Sequence, residues 1–258
     1  MKTTNPKYQK IHMERIKTGI PGFDSLIEGG FPKGRIMLVS GATGTGKTIF
    51  SMQFLYNGAQ KFNEPGVYVT LDERPALIRE DCLRFGWDLK KLESENKLCI
   101  IDGSIAKIGM PSEEEFSLPT TGFDIDKVLL ETIRTIKRIN AKRVIIDSIP
   151  ALGFNFENEQ DVRKAVLKLA YLLTRAGVTS IMTSEIEEGE AKFSKYGVEE
   201  YTADGVIMLH YLGIGTQSTR HLLIRKMRAT KHSEEIHPIQ ISDTGITVKK
   251  IEDEYSNV

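Results

Sequence analysis

Short apolar runs alternate along the chain with longer stretches in which apolar positions return every three or four residues. The runs IMLVS (36–40), GVYVTL (66–71), LCIID (98–102), RVIIDS (143–148) and VTSIMTS (178–184) predict buried strands. Between them, TIFSMQFLYNGAQKF (48–62) sets Phe50, Phe54 and Leu55 at helical spacing, a helix starts at Pro75, and KVLLETIRTIKRI (127–139) and DVRKAVLKLAYLLTRAG (161–177) are amphipathic helices. Near-continuous apolar strands separated by helices predict an α/β fold, a mostly parallel sheet with helices on both faces. From GVIMLHYL (205–212) onward, HLLIRKMR (221–228), HPIQI (237–241) and GITVKK (245–250) follow without long helices, which predicts a C-terminal antiparallel extension of the same sheet. The stretch from Ile105 to Thr121, with Glu113, Glu114, Glu115 and two prolines, predicts a surface excursion. No repeat or low-complexity block divides the chain, so one domain is expected.

The octet GATGTGKT (41–48) lies between the first long strand and its helix, where a phosphate-binding loop has to be. Gly41, Gly44 and Gly46 let successive amides turn inward, and the helix N-terminus adds its positive end, which makes an anion nest. Lys47 is expected on the β- and γ-phosphates and the Thr48 hydroxyl on Mg²⁺. Ala42, Thr43, Thr45 and Ile49 complete the candidate nucleotide contacts. A glycine-rich turn that merely resembles the pattern is the alternative, and the flanking strand and helix weigh against it. Such a site needs a carboxylate for the metal's water shell; Asp147, closing RVIID, is the candidate, against an ordinary helix cap or turn former. Hydrolysis needs a group that orients or deprotonates water. Glu73, and Asp72 after it, follow the strand GVYVTL and reach the loop's edge if the two strands are parallel neighbours; otherwise the pair is solvated charge.

Composition changes this picture little. Thirty-five basic residues balance thirty-five acidic ones, so no global charge favours nucleic acid or a membrane. No run approaches the roughly 18 apolar residues of a membrane span and MKTTNPKYQK has no apolar core, so a cytoplasmic chain is expected. Cys82 and Cys99 lack C-x-x-C spacing and read as buried thiols. His12, His210, His221, His232 and His237 show no metal-binding spacing.

The segments RIKTGIPGFDSLIEGGFPKGRIMLVSGATGTGKT, VTLDERP, VIIDS, YGVEEYTADGVIML and IRKMRATKH, in this order from Lys17 to Val248, resemble the RecA superfamily of P-loop ATPases and, within it, the KaiC-like branch. The resemblance implies a RecA-like P-loop NTPase fold over residues 17–250, after an N-terminal extension (1–16) and before an acidic tail (251–258), with ATP and Mg²⁺ as cofactors. It also implies a homo-oligomer, a hexamer, with ATP between subunits. The phosphate loop then comes from one subunit and the segment with Lys226, Arg228, Thr230 and His232 from the next, Arg228 acting as an arginine finger in trans. Lys226 and Arg228, two apart on a strand, are expected on one face; without the resemblance, HLLIRKMR reads as an edge strand guarded by charge. Asp72 stands where the family often has glutamate. The chain has a single ATPase unit and no T-S-T-like phosphoacceptor segment.

Ser184 and Glu185 end a core strand near the expected γ-phosphate and are candidates for sensing it, or for plain capping. Trp87 reads as packing beside Phe85. Residues 185–197 carry Lys192, Lys195 and Tyr196, which suit single-stranded DNA, but also four glutamates. Two functions are therefore expected to compete: an ATP-driven oligomeric switch that signals to a protein partner, and a RecA/RadA-like recombination accessory that binds single-stranded DNA. An adenylate-type kinase is third, for want of an acceptor lid.

Overall fold

A computed structural model describes residues 13–104, 124–187, 192–214 and 217–249. The predicted excursion at 105–121 and the acidic tail lie outside the described residues, as do residues 1–12 of the extension. The strands are β1 (Arg15–Ile16), β2 (Phe31–Pro32), β3 (Ile36–Gly41), β4 (Gly66–Thr70), β5 (Leu98–Asp102), β6 (Arg143–Asp147), β7 (Thr179–Glu185), β8 (Gly205–Ile214), β9 (Gln217–Met227), β10 (Ile236–Ser242) and β11 (Gly245–Val248). The helices are α1 (Lys47–Lys61), α2 (Pro75–Leu83), α3 (Leu89–Ser94), α4 (Ile125–Arg138), α5 (Glu159–Ala176) and α6 (Glu199–Thr202), with 3₁₀ turns at Asp24–Ile27 and Ile149–Asn155.

β1 pairs with β2, and the others form one nine-stranded sheet in the order β11-β10-β9-β8-β3-β7-β6-β4-β5. From β8 to β5 neighbours are parallel, and β9, β10 and β11 add on antiparallel. The antiparallel extension thus begins one strand later than the pattern suggests, since β8 lies parallel to β3. Residues 186–204 provide the crossover that parallel pairing requires, and α6 lies in its described part. Side chains alternate between two cores. Met37, Val39, Tyr68 and Ile145 meet α1, α2 and α3 on one face, whereas Leu38, Val67, Val69, Val144 and Ile146 meet α4 and α5 on the other.

Arg143 is fully buried and ties the α1 face together. Its guanidinium donates to Glu64 (2.5 and 2.8 Å), to the Phe54 carbonyl (2.6 Å) and to the Lys17 carbonyl (2.8 Å), and lies over the Phe54 ring. Gly58 makes room for it, because a Cβ there would stand 2.3 Å from Arg143 Nε. In an ordinary helix Gly→Ala stabilises by up to about 1 kcal/mol. Here Gly58→Ala is expected to destabilise by about 3 kcal/mol, since the guanidinium is fixed by its partners and cannot yield. Urea unfolding checks this: the midpoint should fall with an unchanged slope, and a midpoint at or above that of the parent refutes it.

Candidate nucleotide site

The phosphate loop leaves the sheet at Gly41, where a Cβ would meet the Leu209 carbonyl at 2.2 Å. Gly44 (φ 78°) and Gly46 (φ 103°) take left-handed conformations that turn the chain into α1. Gly46 is the N-cap and supplies no side-chain bond to the first turn of α1, the end of a helix that suits an anion. Lys47 Nζ reaches back to the Gly41 and Ala42 carbonyls, 2.9 Å each, and lies across the loop. Burial lowers its pKa, while Glu185 and Asp147 pull the other way. Thr45 is buried and donates to the Ala42 carbonyl at 2.8 Å; Thr43 donates to Glu185; Ile49 packs at the edge of the α1 core.

Asp147 does not serve as a cap. It gathers three hydroxyls from three elements: Thr48 of α1 at 2.8 Å, Tyr68 of β4 at 2.5 Å and Thr183 of β7 at 2.5 Å. The cap of the following 3₁₀ turn is Ser148, joined to Asp147 by a cis peptide. Burial, then Asp147, raises the Tyr68 pKa well above its ordinary value, so Tyr68 stays a donor. A hydroxyl and a carboxylate oxygen side by side below an anion nest are hard ligands that suit Mg²⁺, which takes few protein oxygens and fills its octahedron with phosphate and water. Among the described residues no group of three or more His, Cys, Asp or Glu could hold a metal by itself.

Asp72 and Glu73 follow β4, which is not the neighbour of β3: β7 and β6 stand between them. All four strands are parallel, however, so the pair still emerges at the loop's edge of the sheet. The two acids diverge. Asp72 is exposed, accepts a bond from Ser148 and lines a cavity of about 790 Å³ with Ala42, Thr43, Glu185, Lys195 and Tyr196. Glu73 is half-buried and lines a second cavity of about 400 Å³ with Thr48, Ile49, Asp81, Phe85 and Trp87. Its backbone is pinned on both sides by the Thr70 hydroxyl, at 2.6 and 3.1 Å. Burial raises its pKa, and the negative charges of Asp81, Asp147 and Asp72 add to the rise.

Lys226 and Arg228 lie at the opposite edge. Lys226 pairs with Val206, which pairs with Leu38. With two strand spacings and three residues to cross, their own phosphate loop is about 14 Å away or more. Lys226 Nζ donates to the Glu200 and Ala203 carbonyls at 2.8 and 2.6 Å; burial and Arg228 lower its pKa. Arg228 follows β9, exposed, with Nη1 3.6 Å from Asp204. Thr230 accepts from Arg15 at 3.0 Å, and His232 faces the Ser233 carbonyl at 2.9 Å. β10 flanks β9 only from Arg220 to Leu223, and Ile224, Lys226 and Met227 pair with β8 alone, so the charged half of HLLIRKMR stays open on its other side and the charge-guard alternative stands beside the finger.

Ser184 is fully buried and cannot touch a nucleotide, whereas Glu185 stands exposed beside Thr43. Lys195 pairs with Glu187 at 3.5 Å and the Tyr196 hydroxyl donates to the Pro150 carbonyl at 3.2 Å; residues 188–191 of this loop lie outside the described residues. Trp87 packs beside Phe85 as expected, 4.9 Å between ring centres, and also walls the smaller cavity. Sequence reasoning misses Tyr211 and Arg220, which both donate to the Gly44 carbonyl, at 2.8 and 3.2 Å, with the guanidinium over the Tyr211 ring. Only the pairing of β8 with β3 and β9 brings them to the loop.

A family model described as "ATPase: KaiC" matches residues 16–253. A UPF0273 protein of Pyrococcus furiosus is 41% identical over 236 residues, 92% of this chain and 94% of that protein. The circadian clock oscillator protein KaiC of Synechococcus elongatus is 38% identical over 247 residues, 95% of this chain but 46% of that protein, so this chain corresponds to about half of it. The crystal structure of a KaiC-like protein from the archaeon Pyrococcus horikoshii superposes with a TM-score of 0.82 at 44% identity, covering 93% of this chain and all of that one. The fold is RecA-like, and the chain belongs to the KaiC family of ATPases.

Proposed function

We propose that the chain is a Mg²⁺-dependent ATPase that works as an ATP-driven oligomeric switch, its nucleotide held between the subunits of a hexameric ring. The observation that carries this is the meeting of Thr48 and Asp147 at 2.8 Å beneath a loop that Lys47 lies across and that opens onto the N-terminus of α1, whose cap supplies no side-chain bond. Lys47 and the first-turn amides of α1 bind the phosphates; Thr48 would ligate Mg²⁺ and Asp147 would hold its water shell. Bound Mg²⁺ would neutralise charge on the β- and γ-oxygens. Glu73, more basic than an ordinary glutamate, takes the proton from the attacking water, with Asp72 the second choice. Lys226 and Arg228, out of reach of their own loop, complete the neighbour's site. A protein partner reads the ring's state.

ATP turnover with Mg²⁺, followed against pH, tests this. A base with a raised pKa loses its working form as pH falls through that pKa, so the acid side of the profile should lie above the ordinary glutamate value of about 4.3. Asp81→Asn removes the largest like charge on Glu73 and should move that limb to lower pH. A limb that stays in place, with Glu73→Gln still active, refutes Glu73 as base. The four glutamates of residues 185–197 oppose a polyanion, so no salt-sensitive shift of single-stranded DNA is expected with or without ATP; a shift that weakens steeply with salt restores the recombination reading.

A further inference from the structure

Glu199 takes no part in the chemistry above, yet it joins the two ends of the molecule that do. It is fully buried in the first turn of α6 and has four donors around it: Ser184 Oγ at 3.0 Å, Ser194 Oγ at 2.9 Å, whose one proton Glu200 shares, and the amides of Val198 at 3.1 Å and Tyr196 at 3.4 Å. Ser184 also accepts the Lys195 amide at 3.1 Å. One residue beyond Ser184, Glu185 holds the Thr43 hydroxyl of the phosphate loop. At its other end α6 presents the Glu200 and Ala203 carbonyls to Lys226, and the next residue, Asp204, accepts the Arg228 amide at 2.8 Å and faces its guanidinium. A continuous line of bonds therefore runs from the phosphate loop through β7, Glu199 and α6 to both cations.

We propose that Glu199 is a positioning residue that couples the phosphate-loop end of β7 to Lys226 and Arg228, so that the state of a subunit's own site sets where its cations stand in the neighbour's. This rests on the shared-site reading above. A buried carboxylate is costly unless every lone pair is met, so its donors move with it rather than release it. α6 is only four residues long and is held at both ends, which leaves it to shift as a body when the end of β7 shifts. Two discrete positions of such an element are what coupling between sites requires.

The test is a double-mutant cycle on ATP turnover in the full chain. Ser184→Ala cuts the bond from β7 and leaves Glu199 its other three donors, so the fold should survive; Glu199→Gln is the stronger variant. Ser184→Ala should lower kcat about fivefold with KM within about twofold of the parent, because the nucleotide's own contacts are intact. In an Arg228→Ala background the same substitution should cost nothing further, since the line then has no end to move. Equal losses in both backgrounds, or an unchanged kcat in the parent, overturn the coupling. If Arg228→Ala alone keeps full kcat, the shared-site reading has failed instead, and the proposal falls with it.

Discussion

Lys47→Ala is expected to abolish detectable ATP binding while the protein stays folded. The lysine would supply two charge-assisted bonds to phosphate, each worth about 1.5–3 kcal/mol, so affinity should fall on the order of a thousandfold. The fold should tolerate the loss because the carbonyls that Nζ leaves behind keep other partners. The Ala42 carbonyl still accepts the Thr45 hydroxyl at 2.8 Å, and the Gly41 carbonyl still accepts the Ile186 amide at 3.4 Å. Burial already works against the ammonium, so deleting it removes a desolvation cost as well as two bonds. Calorimetry measures the binding and denaturant unfolding measures the stability. Unchanged affinity in a folded variant would remove the phosphate loop from the site.

The parts of this molecule written in one stretch of chain are legible in the sequence, and those that depend on strand order are not. The phosphate loop is local: its glycines, its lysine and the flanking elements lie within Ile36–Lys61, and the structure keeps them as read. Asp147 is legible as a carboxylate after an apolar strand, but its partners are not, since Tyr68 and Thr183 sit inside runs that look like plain core. Tyr68 is 1% exposed and only its hydroxyl is polar, so the pattern counts it as apolar. The glycine-rich segment before β3 has no periodicity, yet it folds as β1, a 3₁₀ turn and β2. It is held by Asp24, which accepts the Thr18 amide and hydroxyl at 2.9 and 2.6 Å, and by Arg143 on the Lys17 carbonyl. Asp72 and Glu73 reach the site although two strands part β4 from β3, because parallel strands bring all their C-terminal ends to one edge regardless of order. Lys226 and Arg228 show the converse: their strand is antiparallel to β8, which carries them to the far edge.

That far-edge placement makes the mixing of two impaired variants decisive. Glu73→Gln keeps the shape of the base and loses its basicity, so it should bind ATP and hydrolyse it slowly. Arg228→Ala should impair hydrolysis and nucleotide-driven assembly more than ATP binding by the isolated subunit, because only the neighbour's contact is removed. Each alone turns over slowly, for a different reason. If a working site takes Glu73 from one subunit and Arg228 from the next, a junction in which the Arg228→Ala variant gives the base and the Glu73→Gln variant gives the finger is intact. With random equal mixing about a quarter of the junctions in a closed ring are of this kind, so about a quarter of the parent rate should return. A site built from one chain cannot recover at all, since no subunit in the mixture carries both residues. The strand geometry already argues against that, because roughly 14 Å of sheet separates Lys226 from its own loop. Native mass measurement has to show that the variants co-assemble; mixed rings without recovered turnover would leave Lys226 as an anchor of α6 and Arg228 as a surface partner of Asp204.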